Sequence, residues 1–309
     1  MKDIAELFGY PSDHISVDSK LFWETKSCPF TGSSCGKKNH DGSLIYGTCS
    51  VSSTEGNVII CPNRLYADDY MTLRKVASDV FGAIPFFTFP DYLDAKRKKS
   101  LSISNKKGVV VALGHNSGRE VSVGNQMSMD WVLAHVKNAG IAAYTGVEVQ
   151  SIDITGNYRD NWHYYQEWRN DEAKPKRSKP SSAHGYNWAN VHKRLIPQLI
   201  RKGLIYSRST KVTHGLSFVL PDVVFKRFEK ILGADFNPPQ RTGADILTVY
   251  TYTLKPFDGS TSRSLALKRK IQITLSEFSE RFVSGPNLPD GIVLDQAVAG
   301  VLGLGFLKS

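Results

Sequence analysis

The sequence predicts an α/β protein: a mixed central sheet flanked by helices, with a module built on four cysteines at its N-terminal end. Three observations predict it. Runs rich in β-branched residues recur at positions 108–113, 143–154, 248–254 and 265–275, as strands require. Amphipathic stretches at 68–81, before these runs, and at 187–202 and 221–232, between them, repeat with a helical period. All four cysteines fall within the first 61 of 309 residues.

Taken in order, residues 1–65 read as a loop-rich module, because Pro29, Pro62, Gly32, Gly36, Gly42 and Gly47 punctuate it with turns. Residues 68–81 place Tyr70, Leu73, Val76, Ala77 and Val80 on one helical face. Pro85 and Pro90 break that pattern, and a short polar segment at 91–99 ends in Lys96-Arg97-Lys98-Lys99. The stretch 108–113 reads as a buried strand, 120–123 as a short strand, and 128–136 as an apolar strand or helix start. Residues 143–154 form a further strand, with Val147, Val149, Ile152 and Ile154.

The polar and basic segment 160–180 reads as an exposed loop or arm. In 187–202, Val191, Leu195, Leu199 and Ile200 are apolar, whereas His192, Lys193, Arg194, Arg201 and Lys202 make a polar side, and Pro197 should kink the helix. Residues 221–232 are a cleaner helix, with Asp222 at its start and Gly233 as its C-cap. The organisation expected is a cysteine module with an N-terminal arm at 1–65, a core at 66–235, and an α+β region at 236–309 packed on that core.

Hydrophobic residues make up 41% and charged residues 22%, the balance of a folded domain rather than a disordered chain. Lys and Arg number 39 against 29 Asp and Glu, a net charge of +10, which points to a polyanion: nucleic acid or an anionic membrane surface. A membrane span is not expected. The longest nearly apolar run, 297–307, is interrupted by Gly300, Gly303 and Gly305 and is shorter than the roughly 18–20 residues a spanning helix needs. Asp3 and Glu6 stand where a signal peptide is apolar, so a cytoplasmic location is expected.

In a reducing cytosol two disulfides explain Cys28, Cys35, Cys49 and Cys61 poorly. Their spacing, C-x6-C-x13-C-x11-C, lacks the C-x2-C pairs of a zinc ribbon, yet short Gly/Pro loops can turn four sulfurs toward one point. A tetrahedral four-thiolate metal site is the expectation; zinc and iron both suit it. Lys26, Lys37, Lys38 and Arg64 could offset its charge. Four buried reduced cysteines are the plain alternative.

A constellation of carboxylates lies in the middle of the chain. Asp130 sits in Ser-Met-Asp-Trp-Val-Leu-Ala, and Gly146-Val-Glu148-Val-Gln150 follows eighteen residues later. On a strand Glu148 and Gln150 point one way, Val147 and Val149 the other. An acid near a turn followed by a Glu-x-polar strand can gather carboxylates around one divalent cation. Taken singly, Asp130 could be a helix N-cap, and Glu148 and Gln150 the wet face of an antiparallel strand.

The pattern Asp130…Glu148-x-Gln150 resembles the PD-(D/E)xK nuclease site, in a variant with Gln in place of Lys. Combined with the early cysteine cluster, the chain is similar to type II restriction endonucleases of the NotI family. Cys61-Pro-Asn-Arg-Leu-Tyr66, the stretch from Glu148 to Tyr158, and Asn187-Trp-Ala-Asn-Val-His-Lys-Arg194 carry the likeness, which covers roughly residues 20 to 235. The resemblance implies a PD-(D/E)xK core, with Asp130 and Glu148 holding a catalytic Mg²⁺ and Gln150 at the position of the Lys that orients the attacking water. It implies Glu120 as an additional upstream acid able to approach the same site. It also matches Cys28, Cys35, Cys49 and Cys61 to the family's structural metal site, for which it implies iron. Gln cannot lend positive charge to a nascent hydroxide, so in this variant the metal must carry more of that burden.

Basic groups at 96–99, 106–107, 174–179 and 268–270 could line a channel for DNA phosphates, and aromatic residues are dense from Tyr158 to Trp168. Arg119, Arg159, Arg169, Arg177 and Arg241 are candidates for base readout. The function expected is sequence-specific, Mg²⁺-dependent cleavage of double-stranded DNA by a homodimer, since a palindrome is read most simply by two-fold symmetry. The alternative is a non-catalytic DNA-binding regulator using a metal knuckle. His40 prompts an HNH nuclease as a third reading, disfavoured because no second histidine with a C-x2-C frame accompanies it.

Overall fold

The computed structural model describes residues 2–39, 41–54, 56–100, 107–124, 127–138, 140–171, 178–259 and 262–303. His40, Lys106 and Arg177 lie outside them. The protein is a mixed α/β fold organised by a seven-stranded sheet. Its strands, in spatial order, are Leu265–Thr274, Ile246–Leu254, Val212–Pro221, Gly140–Val149, Trp131–Lys137, Val109–Gly114 and Phe86–Thr88. The three strands from Val109 to Val149 form an antiparallel meander. Val212–Pro221 then joins Gly140–Val149 in parallel, and Ile246–Leu254 joins it in parallel on the other side. Parallel neighbours need crossovers, supplied here by the helices Ile196–Ser207 and Asp222–Leu232. The last strand pair, Ile246–Leu254 with Leu265–Thr274, extends this same sheet.

The sheet is covered on both faces, which is why the C-terminal halves of its central strands Gly140–Val149 and Val212–Pro221 are buried. One face packs Val110, Ala112, Val147, Val149 and Val219 against Leu73, Val76 and Ala77 of the helix Ala67–Phe81. The other packs Leu216, Phe218 and Leu220 against the helices Ile196–Ser207, Asp222–Leu232 and Leu275–Ser284. Because side chains alternate along a strand, Val147 and Val149 go to the first face and Glu148 to the second. Asp222–Leu232 begins after Pro221 and ends at Gly233 as expected.

A smaller sheet, in the order Tyr10–Pro11, Ile4–Leu7, Thr48–Ser53 and Gly56–Ile59, carries the cysteine segment. Its core residues Ile4, Leu7, Phe8 and Val51 join the hydrophobic cluster of the second face. Glu6 and Arg64 are both fully buried there. The guanidinium donates from Nε to Glu6 Oε2 and from Nη2 to Oε1, each at 3.1 Å, and Ser50 Oγ adds a 2.8 Å bond.

The expected arm at 160–180 is instead the helix Arg159–Asp171 as far as Asp171. Tyr158, Trp162, Tyr165 and Arg169 recur along one side, and all four are buried. Trp162 stacks on Trp23 and donates from Nε1 to Tyr46 O at 2.9 Å. Asn161 and Tyr165 are held by Asp3 at 2.8 and 2.6 Å. Polar composition hid a stripe that docks the helix on the N-terminal sheet. Pro197 does not break its helix. A π-turn at Val191–Leu195 precedes it, with Ile196 N–H donating to Val191 O, so the chain remains helical through the proline. Among the described residues, no helix is long and apolar enough to cross a membrane.

Candidate active site

Asp130 and Glu148 meet across two adjacent strands. Trp131 pairs with Val147 in the antiparallel register, so the next position along brings Asp130 opposite Glu148. The Asp130 N–H donates to Glu148 Oε1 at 3.3 Å, and the Val149 N–H donates to Asp130 Oδ2 at 3.0 Å. The Glu148 side chain is 4% exposed and that of Asp130 31%. Two acids facing each other destabilise a sheet unless something answers them.

Lys202 answers them. Its Nζ bonds Glu148 Oε2 and lies 3.8 Å from Asp130 Oδ1. Leu195, Leu199, Lys202 and Tyr206 follow one another at helical spacing and all are buried, so this lysine stands in an otherwise apolar stripe. Helix and strand keep step here: four helical residues advance about 6 Å, close to the roughly 6.6 Å of two strand residues. Lys202 therefore lies over Glu148 and Tyr206 over Gly146. A Cβ at position 146 would fall 2.2 Å from the Tyr206 ring, so only glycine admits this helix so close. The Tyr206 hydroxyl is buried and has no hydrogen-bond partner among the described residues. Burial raises its pKa, and the charges of Glu148 and Asp130 raise it further.

Burial pushes the Glu148 carboxyl up to about 8, the charge of Asp130 adds to this, and Lys202 opposes both. The unfolded chain releases this proton near the ordinary value of 4.5. Between pH 4.5 and 8 the folded state binds more protons at this site than the unfolded one. Its stabilising contribution is complete below 4.5 and is lost as pH rises through 8. In cation-free buffer, the urea midpoint of wild type should fall from pH 5 to pH 8 more than that of Glu148→Gln. Parallel declines would refute the assignment.

Gln150 lies just past the strand end, its N–H donating to Val219 O at 3.0 Å. Its side chain lines a polar cleft with Asp153, Asn190, Arg194 and Gln198, so Lys202, not position 150, supplies the group beside Glu148. Glu120 is exposed at the foot of the hairpin formed by Val121–Val123 and Met127–Met129. It faces His115 Nδ1 at 3.9 Å, and the described residues show no contact between it and the Asp130–Glu148 pair. The lysine was missed because its charge placed it with the polar side of the helix. Its position at i+3 from Leu199 and i−4 from Tyr206 was the available signal.

The four cysteines are free and buried. A bridge between Ser27 and Ser34 brings Cys28 toward Cys35, and the Cys61 N–H donates to Cys49 O at 3.3 Å. Burial pushes the Cys35 thiol up to about 11, helped by Cys61 and Cys28. Cys49 and Cys61 are raised for the same reasons: Cys49 faces Cys61 and Cys35, and Cys61 faces Cys28. Among the described residues, no group of three or more His, Cys, Asp or Glu is placed to hold a metal ion. The cysteine segment nevertheless reaches the acids through the turn Pro62–Tyr66. Pro62 lines the Gln150 cleft, and the Tyr66 hydroxyl accepts from Trp131 Nε1 at 3.0 Å.

Several basic runs are neutralised within the chain. Arg97 and Lys98 pair with Asp94, Lys179 with Asp3, Arg269 with Asp222 and Glu229, and Lys270 with Asp79. Among the candidates for base readout, Arg169 is buried against Trp23 and Arg241 is paired with Asp245. A less obvious basic surface gathers Lys226, Arg227 and Lys230 around Trp188. No protein-family model and no curated protein matches the chain.

Proposed function

We propose that the chain is a Mg²⁺-dependent endonuclease that cuts double-stranded DNA at specific sites, in the manner of the PD-(D/E)xK type II restriction enzymes it resembles. One observation carries the reading: Asp130 and Glu148 face each other on adjacent strands with the Lys202 ammonium beside both. Apposed carboxylates and a buried amine cost stability, and such groups gather where chemistry uses them. The donor set suits Mg²⁺, which binds through one or two carboxylates and completes its octahedron with water and phosphate oxygens. Bound there, the cation would supply the Lewis acidity that draws in a phosphate oxygen and acidifies a water.

The chain's own residues do the rest. Asp130, fixed by the Val149 N–H, presents its partly exposed carboxylate to the cation. Glu148, whose carboxyl pKa is raised by burial and by the charge of Asp130, would hold the cation together with Asp130 in its deprotonated form. Lys202, freed from part of its bond to Glu148, turns its remaining N–H donors to an oxygen between the acids and stabilises the negative charge that develops on the phosphate. That is the positive charge Gln150 cannot provide. The basic surface around Trp188 supplies phosphate contacts, and a two-fold dimer would present two such sites to the two strands of a palindrome.

Phage DNA incubated with the purified protein and Mg²⁺ should give discrete fragments, and none when the cation is chelated. DNA binding without cleavage in Mg²⁺ would favour the regulator and overturn the nuclease. A structural iron or zinc ion at Cys28, Cys35, Cys49 and Cys61 belongs to the same reading; that all four thiols are free and buried supports it. Elemental analysis should find about one such ion per chain, as one four-thiolate site requires, with Cys49→Ser losing it. Metal-free, folded wild-type protein would exclude that site.

A further inference from the structure

The Gln150 cleft lies one step along the same helix and strand from the acids. Arg194, Gln198 and Lys202 occupy successive helical turns, and Gln150 follows Glu148 by two residues. The cleft therefore begins about 6 Å beyond the catalytic pair, an advance of the same order as that between successive phosphates on one nucleic-acid strand. Its volume is about 120 Å³, roughly four waters at ~30 Å³ each.

The donors in its wall are unspent. Gln150, Arg194 and Gln198 make no side-chain hydrogen bond or ion pair among the described residues. The wall also carries the carboxylate of Asp153, which accepts from Asn190 Nδ2 at 3.0 Å and keeps its negative charge, so Arg194 must outweigh it for a phosphate to enter. Arg194 lies in the π-turn Val191–Leu195, a local widening of the kind that recurs at functional sites. A guanidinium is permanently charged and forked to match two phosphate oxygens.

We propose that this cleft binds the phosphate neighbouring the scissile one on the same DNA strand, with Arg194 as the bidentate anchor and Gln150 and Gln198 as neutral donors. The inference rests on the endonuclease reading above. It also gives the amide at position 150 a role. With Lys202 already beside Glu148, a second ammonium there would repel it, whereas an amide donates to a phosphate oxygen without added charge.

The test uses full-length protein and a duplex carrying the cleavage site mapped from the phage digest. Binding is measured in an Asp130→Asn background, with and without Arg194→Ala. Replacing the neighbouring phosphate by an uncharged methylphosphonate should weaken binding about tenfold when Arg194 is present and scarcely at all when it is absent. Arg194→Ala should also lower the slope of log affinity against log salt by about one. Equal methylphosphonate penalties with and without Arg194, or no penalty in either, would overturn the subsite while leaving the nuclease reading intact. Wild-type protein that cuts no DNA in Mg²⁺ would overturn both.

Discussion

Lys202→Ala is expected to slow Mg²⁺-dependent cleavage about 10²–10³-fold, the loss usual when one charge-stabilising donor is removed from a transition state. Affinity for the same duplex should change far less, because the side chain is 10% exposed and engaged with Glu148. The pH dependence should respond as well. Without the ammonium, the Asp130 N–H is left to oppose the burial and the Asp130 charge that raise the Glu148 pKa, so the rising limb of the rate profile should move to higher pH. Single-turnover rates across pH for wild type and Lys202→Ala check both effects. Gln150→Lys added to Lys202→Ala should recover part of the rate, since a lysine two residues beyond Glu148 can reach back to the acids. A Lys202→Ala enzyme with wild-type rate and profile would make the lysine a structural counter-ion only.

Arg64→Met should lower stability by about 3–5 kcal/mol, as breaking one half of a buried ion pair does. Among the described residues, Glu6 would be left fully buried with only Ser50 as a side-chain partner. The loss should appear as a lower urea midpoint with an unchanged slope. Glu6→Gln combined with Arg64→Met removes both charges and should restore part of it, because the stranded charge causes most of the penalty. Equal loss in single and double variants would place the effect in packing, including that of Arg64 over Phe30 at 4.9 Å. The pair also ties the first strand to the turn that follows Cys61, so its loss should loosen the cysteine segment.

Several strands of the sheet were legible from their residue pattern, whereas Val212–Pro221, the parallel neighbour of Gly140–Val149, was not read as a strand. Val109–Gly114 opens on three valines, Ile246–Leu254 is built of β-branched, aromatic and leucine residues, and Asp222–Leu232 carries its own start and stop. Asp130 and Glu148 were legible as a pair of types, and the strand register brings them together. Lys202 was not, since a charged residue in an amphipathic helix is read as solvated unless its place in the apolar stripe is weighed. The helix Arg159–Asp171 was obscured in the same way. Its buried residues Trp162, Tyr165 and Arg169 are amphipathic, and their role depends on Trp23, Tyr46 and Asp3, far away in the chain. Glu120 shows the opposite limit. A carboxylate of suitable type near a suitable turn can end beside His115, exposed, when no strand pairing carries it inward.

The most direct measurement follows a single end-labelled duplex bearing the cleavage site through one turnover with wild type and with Asp130→Asn. Asp130 is the more exposed of the two acids, so its replacement should spare the fold while removing a cation ligand. Wild type should convert the duplex to product in Mg²⁺, and Asp130→Asn should bind it with comparable affinity and leave it intact. Cleavage by Asp130→Asn at the wild-type rate would contradict the assignment of the Asp130–Glu148–Lys202 cluster as the catalytic centre.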